Sequence, residues 1–285
     1  MYIYDKELTF PDHFTLTLFS VAKAQRPTYK VYAVRFAEST YPFTVANWAK
    51  GAPKSIPVKI NFMVWLIKGS NGHNILVDAG FHNDSDDAKE FQLINYLRPD
   101  SAVLKTGIKP ADITDIILSH PHWDHINGID LFPNARVWIQ KEDYNYFVGE
   151  AWQKGGDKGG FAQRDVSKII ALNLAGKLTL INGDNREIIT GIKVYTGSKH
   201  TFNSQYVSVK AGINQVILAS DNVWIYYNLQ HLLPANGGTL NPAGYVKAMQ
   251  RMKTLVSNVK YIIPGHDAQV FSKFPQLTDG VVEIR

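Results

Sequence analysis

Three imidazoles and one carboxylate fall within six consecutive positions, in the stretch Ser119-His120-Pro121-His122-Trp123-Asp124-His125. The chain has no cysteine, so thiolate metal sites, disulfides and thiol nucleophiles are excluded together, and any metal must be held by nitrogen and oxygen. Imidazole and carboxylate are those ligands. On an extended segment alternate side chains share a face, so His120 and His122 can address one ion, while the adjacent Asp124 and His125 must diverge. One short segment can therefore serve two metals. Three further residues sit just past an apolar run in the same manner: His200 after Ile192 to Thr196, Asp221 at the end of Val216-Ile217-Leu218-Ala219-Ser220, and His266 after Tyr261-Ile262-Ile263-Pro264-Gly265. Singly, a histidine after a strand is ordinarily a surface or hydrogen-bonded residue. Together with the cluster they make two sets of candidate metal ligands.

The elements that must position these residues are readable in turn. Val31 to Phe36 is a strand by its β-branched and aromatic content, and the polar-aromatic segment from Glu38 to Pro57, with Phe43 and Trp48, is an insertion or surface loop. Ile60 to Ile67 and Asn74 to Val77 flank Lys68-Gly69-Ser70-Asn71-Gly72, a hairpin signal. The second of these strands ends in Asp78-Ala79-Gly80, where Asp78 is either a turn former or an acceptor that orients a metal-bound histidine. Residues 87 to 105 read as helical, Ile113 to Leu118 as a short buried strand that runs into the histidine cluster, Asn127-Gly128 as the opening of a helical turn, and Ala135 to Ile139 as the next strand. The ligands thus stand at the carboxyl end of a strand, where α/β folds place their sites.

From Glu142 to Leu174 the pattern is helical on both sides of Lys154-Gly155-Gly156-Asp157-Lys158-Gly159-Gly160. That segment lacks the Gly-Lys-Ser/Thr ending of a phosphate loop, which makes it a flexible connector; its neighbours Tyr146, Phe147, Trp152 and Phe161 either line a lid or pack on the surface. Leu178 to Ile181, Arg186 to Ile189, Ile192 to Thr196, Gln205 to Val209 and Asn214 to Ala219 are short strands expected to form a second sheet. Asn241-Pro242 is an N-cap and first-turn pair for a helix to about Ser257, and Tyr261 to Ile263 is expected as the last strand. Two strand-rich halves with helices suggest a layered sandwich.

With 285 residues, 45% hydrophobic and 19% charged, the chain is a globular protein of one large or two small domains. A net charge of +5 is spread without any run of basic residues, so it describes a solvated surface and no nucleic-acid partner is expected. No apolar run is long enough to span a membrane. Phe14 to Ala24 is largely apolar but preceded by Asp5, Glu7 and Asp12, so a cytoplasmic location is expected, with export the alternative. Without cysteine or a Gly-x-Ser-x-Gly elbow, a covalent route through those nucleophiles lacks a candidate, and water must attack.

The order His-x-His-x-Asp-His, then His, then Asp, then His resembles the metallo-β-lactamase superfamily over roughly Val31 to Asp267. The resemblance implies an α/β (α+β) fold, a four-layer αββα sandwich forming one domain over 1–285, with an N-terminal arm at 1–30 and insertions near 38–57 and 142–175. It also implies a ligand set. His120, His122 and His200 would hold one metal, Asp124, His125 and His266 the other, and Asp221 would bridge both, with Asp78 in support. His13, His73, His82 and His231 match nothing and are expected to be solvated. Within the superfamily the chain is similar to bacterial N-acyl-homoserine lactonases, on Val31-Tyr32-Ala33-Val34-Arg35-Phe36, Asp78-Ala79-Gly80, the spacing from His200 through Asp221 to His266, and His200-Thr201. Those lactonases carry a substrate-contacting Tyr three residues after the bridging Asp. Here that position is Trp224, and Tyr226 or Tyr227 would substitute from an offset position.

The implied reaction opens a lactone ring by attack of a hydroxide generated between two divalent metals, with Asp124 passing a proton to the leaving oxygen. Zinc is the expected metal; iron, cobalt and manganese accept the same ligands. Trp48, Tyr146, Phe147, Trp224, Tyr226 and Tyr227 are expected around the acyl-lactone, and a homodimer is an open expectation. The alternatives are another hydrolase of the superfamily, acting on another lactone, a thiolester or a phosphodiester, and a non-enzymatic metal-binding module.

Overall fold

The computed structural model describes residues 1–2 and 26–285, so Phe14 to Ala24 and His13 lie outside the described residues. Among those described, the strands form a nine-stranded and a five-stranded sheet. In the first sheet the strands run in the order Gln276–Thr278, Val281–Ile284, Tyr29–Ser39, Asn61–Gly69, Asn74–Val77, Asp115–Ile117, Arg136–Gln140, Leu178–Ile181. The two-residue Leu93–Ile94 pairs beside Tyr29–Ser39. In the second the order is Ile262–Pro264, Asn214–Ser220, Gln205–Ala211, Ile192–Thr196, Arg186–Ile189.

The period-2 geometry of a strand sorts the first sheet's side chains onto two dry faces. Tyr32, Val34, Phe36, Phe62, Val64 and Leu66 face one core, shared with the helices Pro99–Leu104, Lys141–Val148 and Gln163–Leu174. Their neighbours Val31, Ala33, Met63, Trp65 and Ile67 face another, where Val194, Val207, Val209, Val216 and Leu218 of the second sheet meet them. A third core lies on the far side of the second sheet, where Tyr206, Ile217 and Ala219 pack on Tyr245, Met249 and Met252 of the helix Pro242–Leu255. Helices, sheet, sheet and helix are therefore four layers, the αββα arrangement expected. Each buried Val, Leu or Ile contributes about 1.5 to 3 kcal/mol, so a one-residue slip of a central strand, which would exchange its two faces, is strongly disfavoured. No helix among the described residues is long and apolar enough to cross a membrane.

Three expectations are corrected. Residues 87 to 105 are not one helix: Asp86–Glu90 and Pro99–Leu104 are helical, with Leu93–Ile94 paired to Glu38 and Ser39 between them. Gln92 and Asn95 take positive φ and Pro99 starts the second helix, so the backbone cannot run through. Leu178–Ile181 belongs to the first sheet, parallel to Arg136–Gln140, because the helix Gln163–Leu174 returns the chain to that sheet's edge. Finally, the strand at 262–264 is not the last. Val281–Ile284 closes back on the first strand, with Val31 opposite Ile284.

The consequence for the site is topological. Asn74–Val77, Asp115–Ile117 and Arg136–Gln140 are mutually parallel, and Asn214–Ser220 is parallel to Ile262–Pro264. Asp78, Ser119 with His120, Asp221 and His266 follow the carboxyl ends of four of these strands. Both sheets therefore deliver their ligands at one end of the sandwich.

Candidate metal centre and substrate cavity

The seven candidate ligands converge. Donor atoms of His120, His122, His200 and Asp221 lie within 4.8 Å of one another, as do those of Asp124, His125 and His266. Asp221 joins the two sets. Its Oδ2 is 3.2 Å from His200 Nε2 and 3.9 Å from His120 Nε2, while its Oδ1 is 3.0 Å from His266 Nε2 and 3.4 Å from His125 Nε2. Asp124 Oδ2 completes the second set at 3.3 Å from His125 Nε2 and 3.6 Å from His266 Nε2. Metal–nitrogen and metal–oxygen bonds near 2.1 Å in a tetrahedron put neighbouring ligands about 3.4 Å apart, which is the spacing seen here.

The buried polar atoms support the same fit. His120 Nε2, His125 Nε2 and Asp221 Oδ1 are buried without a hydrogen-bond partner. Leaving a buried donor or acceptor unpaired costs about 1 to 3 kcal/mol, and such atoms within the two ligand sets, His120 Nε2 in one and His125 Nε2 with Asp221 Oδ1 facing the other, are the signature of cation sites. The donor set suits two divalent metal ions.

Hydrogen bonds at the other ring nitrogen fix which nitrogen each histidine presents. His125 Nδ1 meets Asp78 Oδ2 at 2.8 Å, His120 Nδ1 meets Ser119 Oγ at 2.8 Å, and His200 Nδ1 donates to the Gly238 carbonyl at 2.6 Å. Nε2 is thereby turned inward in each. His122 instead presents Nδ1, 2.9 Å from His200 Nε2. Asp78 is the hub: its Oδ1 accepts from the Ser119 N–H at 2.7 Å, and its Oδ2 accepts from Ser119 Oγ and Ser220 Oγ, both at 2.9 Å. Asp78 and Ser220 have φ of 62° and 47°, left-handed conformations that cost about 1 kcal/mol or more each in a non-glycine residue. The strain sits where it aims two ligand-bearing turns at each other.

Burial and charge act differently on the individual ligands. For His125 and His266 burial acts downward, but the carboxylates of Asp124 and Asp221 outweigh it and raise both, so these two give up a proton when a cation takes its place. Burial, reinforced by His125, His122 and His200, holds His120 well below the ordinary histidine range, and burial beside His200 lowers His122 to about 3. Both are neutral, as metal ligands must be. For Asp221 burial acts upward, but His266 and His125 outweigh it and hold the carboxyl well below its usual range. A carboxylate not anticipated from the sequence also supports the site. Asp143 accepts from Thr201 Oγ1 at 2.7 Å and from the Asn203 N–H at 3.0 Å, pinning the loop that carries His200, and burial raises its pKa to about 6.

The Gly-Lys segment is a specific contact and not merely a connector. Gly160 has φ of 76°, its carbonyl accepts from the Trp123 N–H at 2.8 Å, and a Cβ there would come within 2.8 Å of the His122 ring. Glycine at 160 is what lets the segment close over His122.

Above the ligands lies a cavity of about 650 Å³. Trp48, Tyr146 and Trp224 line it, as do Phe43, Phe161, Phe202 and Leu240. No Lys or Arg does among the described residues lining it, although the chain as a whole carries a net charge of +5. Three expected contacts are corrected. Phe147 is fully buried in the core against Phe161, because the helix Lys141–Val148 turns 146 to the cavity and 147 away from it. Tyr226 starts the helix Tyr226–His231 and points into the core between the sheets. Tyr227 packs on His231 and lines a separate hollow with Val45 and Ile225. Of the histidines outside the ligand sets, His231 is exposed, whereas His82 is partly buried and bonded to Asp130 at 3.1 Å.

The sequence profile of the Metallo-beta-lactamase superfamily matches residues 63–266. This chain belongs to that superfamily. Among its relatives in the metallo-beta-lactamase superfamily, an N-acyl homoserine lactonase of Bacillus cereus is 27% identical over 228 residues, 74% of this chain and 83% of the relative. The N-acyl homoserine lactonase AttM of Azorhizobium caulinodans is 37% identical over 176 residues, 59% of this chain and 63% of AttM. Among solved structures, a mutant of Bacillus thuringiensis AiiA with N-decanoyl-L-homoserine at its active site superposes with a TM-score of 0.65 at 18% identity, covering 87% of this chain and 97% of that one. AidC, a dizinc quorum-quenching lactonase in complex with a product, superposes with a TM-score of 0.63 at 16% identity, covering 85% and 88%. These two share the metallo-beta-lactamase fold with this chain.

Proposed function

We propose that this protein is an N-acyl-homoserine lactonase that holds two zinc ions, one by His120, His122 and His200, the other by Asp124, His125 and His266, with Asp221 bridging them. The carrying observation is Asp221, which offers one carboxylate oxygen to each ligand set at the floor of an aromatic cavity. The relatives' activity supports the choice of ester. So does the cavity: a lactone is neutral, and a phosphodiester would call for a lysine or arginine that the described lining does not supply. An acyl tail fits its walls, gaining about 0.8 kcal/mol per buried CH₂.

When bound, divalent ions lower the pKa of water from 15.7 to about 7 and polarise a carbonyl oxygen. The chain's residues do the rest. The aromatic walls exclude bulk water from the ester. Asp124 faces His125 and His266 through Oδ2 and also lines the cavity, so one carboxylate touches the ligands and the space a substrate fills. It takes one proton of the water as that water adds to the carbonyl carbon and gives it to the ring oxygen as the C–O bond breaks, leaving a free hydroxyl and a carboxylic acid that ionises and releases the water's second proton to solvent.

The test is a pH-stat panel of acyl-homoserine lactones of increasing chain length, a thiolester and a phosphodiester, on zinc-replete and chelated protein. Zinc-dependent turnover of the lactones, with kcat/KM rising with chain length, is expected. A phosphodiester or thiolester turned over faster than every lactone would overturn the assignment.

A further inference from the structure

Asp221 is the residue on which a two-metal site turns, yet its two oxygens are not equivalent. Oδ1 is buried and has no hydrogen-bond donor, whereas Oδ2 accepts the indole N–H of Trp224 at 2.8 Å. A hydrogen bond to a carboxylate is charge-assisted, and in a buried setting it both fixes the group's rotation and draws electron density from the oxygen that receives it. We propose that Trp224 is a positioning residue for the bridging carboxylate: its N–H holds Oδ2 toward His120 and His200 and makes it the weaker donor, leaving bare Oδ1 to bind the ion of Asp124, His125 and His266 more strongly. This rests on Asp221 bridging two ions and not on the identity of the ester.

The surroundings lock the indole in place. Trp224 lies three positions after Asp221 along a tight turn, in which the Val223 N–H donates to the Ser220 carbonyl at 3.1 Å. The Trp224 N–H donates to Tyr245 Oη at 2.9 Å, and its carbonyl accepts from the N–H of the ligand His266 at 2.9 Å. Its ring lies edge-on to Trp48, with centroids 5.2 Å apart, and to the ligand His200 at 5.6 Å. The benzo edge covers Gly238 so closely that any Cβ there would overlap it, and Gly238 supplies the carbonyl that fixes His200 Nδ1. Trp224 thus touches or bonds to the turns bearing His200, Asp221 and His266. Its only side-chain N–H, the indole Nε1–H, is spent on Asp221, so it has no side-chain donor left for a substrate, although its ring still walls the cavity.

The experiment compares Trp224→Phe, which keeps an aromatic ring and removes the donor, with Trp224→His, which restores an N–H. Each is loaded with zinc and challenged with excess chelator, and each is loaded with cobalt and its visible absorption bands recorded. If Trp224 positions Asp221, Trp224→Phe releases one of its two zinc ions about 10- to 100-fold faster and shifts the cobalt bands, and Trp224→His recovers part of both. Wild-type release rates and an unshifted cobalt spectrum in Trp224→Phe overturn the proposal, as does an equal loss in both variants, which would mark the ring's packing as the cause. Should Trp224→Phe not fold, zinc titration of wild-type protein labelled with ¹⁵N-tryptophan decides: the Trp224 indole resonance, assigned with Trp224→His, moves if the bond exists and stays if it does not. None of these readouts depends on which ester is cleaved, so they separate from a failure of the lactonase assignment.

Discussion

Replacing Asp78 by asparagine removes one negative charge and one acceptor from the hub of the metal centre without disturbing the backbone, since asparagine tolerates the φ of 62° found there. If the amide oxygen keeps the place of Oδ1, it still accepts the Ser119 N–H, and the amide nitrogen then stands where Oδ2 meets Ser119 Oγ, Ser220 Oγ and His125 Nδ1. The two hydroxyls can rotate and accept. The imidazole cannot accept unless its proton moves to Nε2, the atom that faces Asp124 and Asp221 in the ligand set. The loss therefore concentrates on His125. One charge-assisted hydrogen bond contributes about 1.5 to 3 kcal/mol, which at about 1.4 kcal/mol per decade is roughly a 10- to 100-fold loss of affinity at the ion held by Asp124, His125 and His266. Equilibrium dialysis against chelator-buffered zinc measures this directly, and lactone turnover should fall in parallel and recover in part at excess zinc. Two zinc ions retained per chain at wild-type affinity in Asp78→Asn would refute the view of Asp78 as the orienting acceptor.

Further expectations follow from the same geometry. Asp124→Asn should keep most of the bound metal and lower kcat by at least 100-fold, measured on protein of verified zinc content; full activity would remove Asp124 as the proton carrier. Gly160→Ala should cost about 1 to 2 kcal/mol from its φ of 76° alone and also displace His122, so zinc retention and turnover both drop; unchanged values would mean that the segment yields without moving the ligand. Asp143 has a folded-state pKa raised by burial from 3.8 to about 6, so the folded chain binds the extra proton between those values and loses stability as pH rises through them. Asp143→Asn should relieve that loss in metal-free protein, gaining up to about 3 kcal/mol on wild type between pH 4 and pH 7 by urea unfolding; a pH-independent difference would contradict the raised pKa.

The candidate ligands were legible in the sequence because metal chemistry admits few residue types and a chain without cysteine admits fewer. Their spacing after apolar runs also exposed the strand ends that carry them. What supports the ligands was harder to see. Ser119 and Ser220 each precede a ligand by one residue, but serine beside a ligand has no distinguishing pattern, and their shared purpose appears only when the fold brings Ser220 onto Asp78, 142 residues away in the chain. Strand partners were hidden for a related reason: periodicity shows that Leu178 to Ile181 is extended, and the helix before it decides which sheet it joins.

The aromatic walls show where reasoning from offsets fails. Tyr226 and Tyr227 lie only two and three residues past Trp224, yet a helix begins at 226. Extended and helical backbones point successive side chains in different directions, so a tyrosine two residues late does not offer its hydroxyl from a nearby angle but goes into the core. The hydroxyl expected from the family resemblance therefore has no counterpart among the aromatic residues at 224 to 227. What this chain has at that place is an indole whose single donor faces inward to Asp221. Polar contacts to a substrate's amide must then come from other lining residues, and Asn47, Thr201 and Thr239 are the uncharged, non-aromatic ones on the cavity wall whose side chains carry such groups, beside the hydroxyls of Tyr41 and Tyr146. Alanine at each of the three should raise KM for acyl-homoserine lactones more than it changes kcat if that residue binds the amide, and a set of three wild-type KM values would place amide recognition elsewhere.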